Sequence, residues 1–280
     1  MDDVEFGLGN LKKEKKFDFL SIFNESDSES DNFSQLQDSP YGDSSISCNY
    51  YSEEEFITDH SKNKGFSCLS LNIQSLSSKF QELNELVEGF GQNSYCFDVL
   101  ILQELWRIND SDVLSIDGYQ DIIFKSRTSA QGRGVGFNIK QGIKFRIIEE
   151  LSLFEDKIVE TMFIEIQVGN SKTVLGSIYR SNTRHPLFTA DEQTERFTEL
   201  LMNITSEISK FNCKSYIFGD FNIDLLKFQT HLGTNTYLNN MFSQGFIQII
   251  TKPTRVTHSS ATLIDHLWTN ATKWHFNFKD

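Results

Sequence analysis

The chain has 280 residues, 38% of them hydrophobic, and a formal net charge of −13, enough for one large domain plus a polar extension. The charge is uneven: residues 1–60 hold 15 Asp/Glu against 4 Lys/Arg, and the rest of the chain holds 24 against 22. The domain itself therefore lacks the basic excess that gives tight, nonspecific nucleic-acid binding. No run of about 18 apolar residues exists to span a membrane. The acidic start, Met1-Asp2-Asp3-Val4-Glu5, is unlike the basic start of a secretory signal. Cys48, Cys68, Cys96 and Cys213 are scattered without metal-ligand spacing and read as reduced, intracellular thiols.

The first segment, 1–62, is rich in Ser, Asp, Glu and Asn, as in Asn24-Glu25-Ser26-Asp27-Ser28-Glu29-Ser30-Asp31. Like charge with low hydrophobicity predicts a disordered acidic tail, dispensable for folding, ahead of a domain over 63–280. Phe66–Ile73 reads as a strand reaching polar Asn72 near its end. Phe80, Leu83, Leu86, Val87 and Phe90 fall at helical spacing. Val99-Leu100-Ile101-Leu102 is a continuous apolar run, expected of a strand covered on both faces, and it ends at Gln103-Glu104. A further strand is expected over Tyr119–Phe124.

Val135, Phe137 and Ile139 alternate, Gln141-Gly142 turns, and Ile143, Phe145 and Ile147 alternate again, predicting an antiparallel hairpin. A second hairpin joins Ile164, Ile166 and Val168 through Gly169-Asn170 to a return strand over Thr173–Tyr179. Phe197, Leu200, Leu201, Ile204, Ile208 and Phe211 mark the longest helix. Tyr216-Ile217-Phe218 is a buried strand closed by Gly219. A helix near Thr236–Ser243 and strands over Phe246–Ile250 and Thr262–Trp268 complete the series. Strands mixed with helices and hairpins predict an α/β fold of mixed sheets with helices outside.

Several strand ends carry polar groups: Asn72, Glu104, Tyr179 with Arg180, and Asp220 with Asn222. A further strand holds Asp265 between apolar residues. Five such positions in an otherwise apolar core point to one shared rim. No Ser or Cys stands on a nucleophile elbow. Gly132-Arg133-Gly134-Val135-Gly136 leads into a strand rather than a helix, so it is not a dinucleotide loop. Carboxylates, amides and a phenol suit Mg²⁺, which prefers oxygen ligands and keeps several waters. Such a site fits attack of water on a phosphodiester.

Leu71-Asn72-Ile73-Gln74-Ser75-Leu76, Asp98 to Glu104, Ile178-Tyr179-Arg180, Gly219-Asp220-Phe221-Asn222-Ile223-Asp224 and Thr262-Leu263-Ile264-Asp265-His266 together resemble the endonuclease/exonuclease/phosphatase superfamily. With Pro253-Thr254-Arg255, the series is most similar to the apurinic-type endonuclease domain of LINE-type (non-LTR) retrotransposons. The resemblance implies a four-layer α/β/β/α sandwich, Mg²⁺ as cofactor, DNA as partner and a nuclear location. By resemblance, Glu104 and Asn72 hold the metal and Tyr179 donates to the scissile phosphate. Asp220 aligns or deprotonates the attacking water, Asn222 stabilises the transition state, and Asp265 orients a catalytic histidine. Ser260 contacts DNA beside the site by the same resemblance. Arg180 reads equally as a phosphate contact or a structural partner, and His266, adjacent to Asp265 on a strand, reads as a packed histidine facing the other way.

The chain departs from the family at three places. Leu105 replaces a polar residue after Gln-Glu, and Ser181-Asn182 replaces prolines after Tyr-Arg. The family's Ser-Asp-His on a later strand has no counterpart in the 280 residues. The fold is accordingly expected to lack its last strand and the activity to be impaired. A DNA- or protein-binding remnant without catalysis, and a phosphatase or RNA-directed nuclease of the same superfamily, are the alternatives.

Overall fold

The computed structural model describes residues 4–10, 19–24, 46–60, 65–106, 108, 114–124 and 134–271. The chain begins with β1 (Val4–Asn10), β2 (Phe19–Asn24), β3 (Ile46–Tyr51) and α1 (Glu53–His60). β4 (Phe66–Asn72), α2 (Leu76–Gln92) and β5 (Val99–Gln103) follow, then β6 (Ile123–Phe124) and β7 (Val135–Ile139). These strands form one sheet in the order β3-β2-β1-β4-β5-β7-β6. β1, β4 and β5 run parallel and the other pairings are antiparallel.

The second sheet begins with β8 (Phe145–Ile147), β9 (Phe154–Glu155), β10 (Val159–Val168) and β11 (Ser171–Arg180). After α3 (Ala190–Ser209), β12 (Lys214–Asp220) and α4 (Leu232–Ser243) come β13 (Ile247–Gln248), β14 (Arg255–Val256), β15 (Ala261–Thr262) and β16 (Asp265–Thr269). The order is β13-β16-β12-β11-β10-β8, with β9 on β10, while β14 and β15 form a separate ribbon. The two sheets pack face to face, β12 on β4 and β11 on β5. The mixed α/β fold with two mixed sheets is thus as expected. No described helix is long and apolar enough to cross a membrane.

Alternation along β4 and β5 explains the layering. Leu69, Leu71, Leu100 and Leu102 join α2's Leu83, Leu86 and Phe90 in one core, whereas Cys68, Val99 and Ile101 join the core shared with the second sheet. Gln103 Nε2 donates to Ser70 Oγ within the first sheet and to Ser177 Oγ of the second, both at 3.2 Å. Buried polar side chains are thereby paired across the interface rather than left unmet.

Four expectations need correction. The residues read as an unstructured tail include three strands and a helix; the remainder of 1–62 lies outside the described residues. Phe56 is fully buried and its ring lies 5.7 Å from that of Phe90 and 5.3 Å from that of Tyr95. An average over sixty residues hides short apolar alternations that can pair with a sheet. The Val135–Ile147 hairpin is also absent: β7 stays on β5, while β8 pairs with β10 in the other sheet. Alternation marks a strand without choosing its partner, and Gly142 at φ 87 serves a crossover instead. Tyr119–Phe124 shrinks to Ile123–Phe124 plus a bridge from Tyr119 to Lys140. Thr262–Trp268 breaks at Leu263-Ile264, where the chain leaves the β14–β15 ribbon for β16.

Gly219 is required by close approach. A Cβ there would lie 1.8 Å from the Ile178 carbonyl oxygen of the neighbouring strand. Gly219→Ala is expected to lower stability by about 3 kcal/mol or more in denaturant melts. Phe56→Ala should cost about 3–5 kcal/mol by the same measurement, and trimming residues 1–62 should destabilise the core rather than leave it intact. A trimmed chain as stable as the full one would show that the aromatic cluster does not need Phe56.

Candidate active site

Strand register gathers the polar groups. Along the second sheet Glu160 faces Tyr179, Tyr179 faces Asp220, and Asp220 faces Asp265 on adjacent strands. Directly opposed residues share a face, so one row of four polar side chains crosses the sheet. Asn72 and Gln103 are likewise paired across β4 and β5 in the first sheet. Face-to-face packing brings the rows together: Asn72 Nδ2 donates to Asp220 Oδ2 at 2.8 Å and to Glu104 Oε1 at 3.1 Å. One amide thus links two carboxylates that belong to different sheets.

The loops after β4 and β5 are zipped to each other. Ile73 N–H donates to Gln103 O at 3.0 Å, Ser75 N–H to Glu104 O at 2.8 Å, and Leu76 N–H to Leu105 O at 2.9 Å. Glu104 takes the left-handed conformation at φ 55, as do Gln74 at φ 49 and Asn222 at φ 48. Such angles are uncommon outside glycine, and they are concentrated here around the carboxylates.

Asn222 and Arg180 form a reciprocal clasp. Asn222 Nδ2 donates to Arg180 O at 2.8 Å, and Arg180 Nη1 donates to Asn222 O at 3.0 Å. Arg180 Nη2 donates to Thr194 Oγ1 at 2.7 Å, and the guanidinium lies over the Phe197 ring. Arg180 is therefore engaged as a structural partner, and burial lowers its pKa. Asn222 N–H also donates to Asp220 Oδ1 at 3.1 Å, fixing the carboxylate from the loop side.

His266 is fully buried and packs as expected. Its Nδ1 lies 3.0 Å from Tyr237 Oη, which in turn accepts from Trp268 Nε1 at 2.6 Å. Its Nε2 lies 3.0 Å from the Ile223 carbonyl, which accepts the ring N–H. Burial lowers the His266 pKa to about 3, so the ring stays neutral and braces the loop after Asn222. Asp265 sits opposite Asp220, and its N–H donates to Thr254 Oγ1 at 3.1 Å. Tyr179 is buried in the row. Ser260 stands apart on the exposed ribbon turn, where its hydroxyl meets Thr257 Oγ1 at 2.8 Å.

Two residues of the site escape the sequence pattern. Glu160 belongs to the row, and its Oε2 accepts from Gly134 N–H at 2.8 Å, tying the second sheet to the start of β7. The hairpin reading begins at Ile164 and so excludes it; an acid between Val159 and Thr161 in a strand with a buried face is the available signal. Trp106 Nε1 donates to Glu104 Oε2 at 3.1 Å. Its only mark in the sequence is its position two residues after Glu104.

The site tests well for a hard cation. Asn72 Oδ1 is buried without a hydrogen-bond partner, an acceptor that a cation or its water would satisfy. Asp220 is held well above the usual carboxylate range, first by burial and then by the negative charges of Asp265 and Glu104. A cation would offset that repulsion. Among the described residues no three His, Cys, Asp or Glu side chains form a metal cage, and the oxygen donors gathered at Asn72 are a carboxylate of Glu104 and the amide oxygen itself. That set matches Mg²⁺ rather than zinc.

A raised carboxyl pKa means that the fold favours the protonated form. The stability linked to Asp220 is then full below the unfolded value near 3.9 and is lost as pH rises through the raised folded value. In the metal-free chain, Asp220→Asn should raise Tm at about pH 8 and change it little at about pH 4. Equal changes at both pH values would refute an electrostatic origin.

A profile of the Endonuclease/Exonuclease/phosphatase family matches residues 69–278. No curated protein matches the sequence. Among solved structures, a family protein from Bacteroides thetaiotaomicron shares 15% identity at TM-score 0.49, covering 72% of this chain and 80% of that one. The human Nocturnin catalytic domain with bound sulfate shares 15% at 0.48, covering 71% and 79%. D. rerio TDP2 with a single-strand DNA product shares 12% at 0.46, covering 74% and 84%. No substrate transfers at such identities. The profile match, however, spans most of the chain, and the chain belongs to the Endonuclease/Exonuclease/phosphatase family of hydrolytic nucleases and phosphatases.

Proposed function

We propose that the chain is a Mg²⁺-dependent phosphodiesterase that nicks DNA, of the type found in LINE-type elements. The observation that carries this reading is the Asn72 amide, which donates to Glu104 and Asp220 and leaves its buried oxygen without a partner. The narrower likeness draws support from Thr254 of the Pro253-Thr254-Arg255 segment. Its hydroxyl accepts from Ile264 N–H at 3.3 Å and from Asp265 N–H at 3.1 Å, which makes the two sequence segments one structural unit.

In this reading Glu104 and Asn72 Oδ1 hold the ion, which when bound supplies charge neutralisation at the phosphate. Asp220 orients the attacking water and takes its proton once a bound cation offsets the burial and like charge that favour its protonated form. Asp265, opposed to it across the strands, adds to that like charge. Tyr179 and the Asn222 amide supply neutral donors to phosphate oxygens, and Arg180 acts by clasping Asn222.

The test is relaxation of supercoiled plasmid with Mg²⁺ for the parent and for Glu104→Gln and Asp220→Asn, each checked for folding by circular dichroism. Both substitutions should reduce nicking at least about 100-fold. Folded variants that nick at near-parental rates would overturn the assignment, as would a parent that leaves the plasmid intact.

A further inference from the structure

Trp106 has no part in the hydrolytic reading, yet it is attached to the metal-binding carboxylate. Glu104 is gripped at both oxygens, Oε1 by Asn72 Nδ2 and Oε2 by the Trp106 indole N–H, each at 3.1 Å. Asn72 is buried in the sandwich, whereas Trp106 is 48% exposed. The other described tryptophan, Trp268, is fully buried. Trp106 is therefore an aromatic surface open to solvent, tethered by its edge to the centre of the site.

The backbone is bent to achieve this. Glu104 and Trp106 both lie in the left-handed region, at φ 55 and φ 58, with Leu105 buried between them. A bulky residue with such an angle is a genuine departure, tolerated only where its surroundings enforce it. Leu105 supplies the enforcement: its N–H donates to Gly134 O, and its side chain packs closely against Gly134 and Gly136. With the leucine anchored inward, the residues on either side meet over the site.

The chemistry of the rim narrows what Trp106 can receive. Glu104, Asp220 and Asp265 make this region acidic, and Arg180 is turned inward onto Asn222 and Thr194. A polyanion seated here gains little from direct charge pairing with these side chains. Stacking of a base on an indole is indifferent to that acidity and tolerates any base.

We propose that Trp106 is a nucleobase-stacking platform that holds the base beside the scissile phosphate, while its N–H sets the orientation of Glu104. The proposal rests on the reading of Glu104 and Asp220 as a hydrolytic site for nucleic acid. Trp106 is then a positioning residue for Glu104 and a binding residue for substrate.

The test uses the 280-residue chain in a Trp274→Phe background, so that Trp106 and buried Trp268 are the only indoles. Emission is followed during titration with a short oligothymidylate, and with an abasic strand of equal length and charge, with Ca²⁺ replacing Mg²⁺. The base-bearing strand should quench Trp106 and bind roughly 5- to 150-fold more tightly than the abasic one. Trp106→Ala should remove that preference. Trp106→Phe should keep it while lowering kcat at unchanged KM for cleavage with Mg²⁺, since it retains the stack and loses the N–H. Equal affinity for the two strands, or an unchanged preference in Trp106→Ala, would overturn stacking even if the strands are cleaved. Base-dependent quenching without cleavage would sink the hydrolytic reading and leave the platform standing. Failure of both strands to bind would remove both.

Discussion

The site depends on one unfavourable interaction: buried carboxylates held close enough to repel each other. Burial disfavours the charge on Asp220, and Asp265 and Glu104 add like charge to the same region. Two bonds from Asn72 and one from the Asn222 backbone hold the arrangement together. Hydrogen bonds to a carboxylate favour its charged form but do not remove the repulsion. In the proposed function that tension couples stability to activity, because the substitution that relieves it also removes the group that would take a proton from water.

Holding the acids together needs rigid supports on both sides. The two sheets supply them through strand register, which lines up Glu160, Tyr179, Asp220 and Asp265 on neighbouring strands. Rigidity then passes outward through buried hydrogen bonds. Trp268, Tyr237 and neutral His266 form a chain that ends on the Ile223 carbonyl, and Arg180 clasps Asn222 from the other direction. The loop between β12 and the following turn is therefore fixed from two sides. Its left-handed Asn222 is held by the side-chain bond to Arg180 O and by its N–H on the Asp220 carboxylate.

The N-terminal segments enlarge the first sheet beyond the core of the sandwich. β1 runs along β4 with Asn10 opposite Asn72, so β4 is paired on both sides. β3 and α1 reach further: Tyr50 donates to the Pro253 carbonyl, and Phe56 enters the cluster of Phe90, Tyr95 and Phe97. The path leading to the β14–β15 ribbon and to Asp265 is thereby tied to residues that composition alone assigns to a solvated tail.

Much of the site is legible in the sequence because it sits where regular patterns stop. Asn72, Glu104, Tyr179, Asp220 and Asp265 are polar residues at or near the ends of apolar runs, and local alternation suffices to find them. The packed His266 follows from alternation too, since neighbours on a strand face opposite ways. Local periodicity fails wherever the partner matters. It could not tell that β7 and β8 belong to different sheets, that Arg180 turns inward, or that Glu160 completes the row. The sequence by itself determined which residues have polar chemistry at strand ends and that the sheets are mixed. Tertiary structure alone decided which carboxylates meet, because their repulsion and their shared amide exist only once two sheets are pressed together.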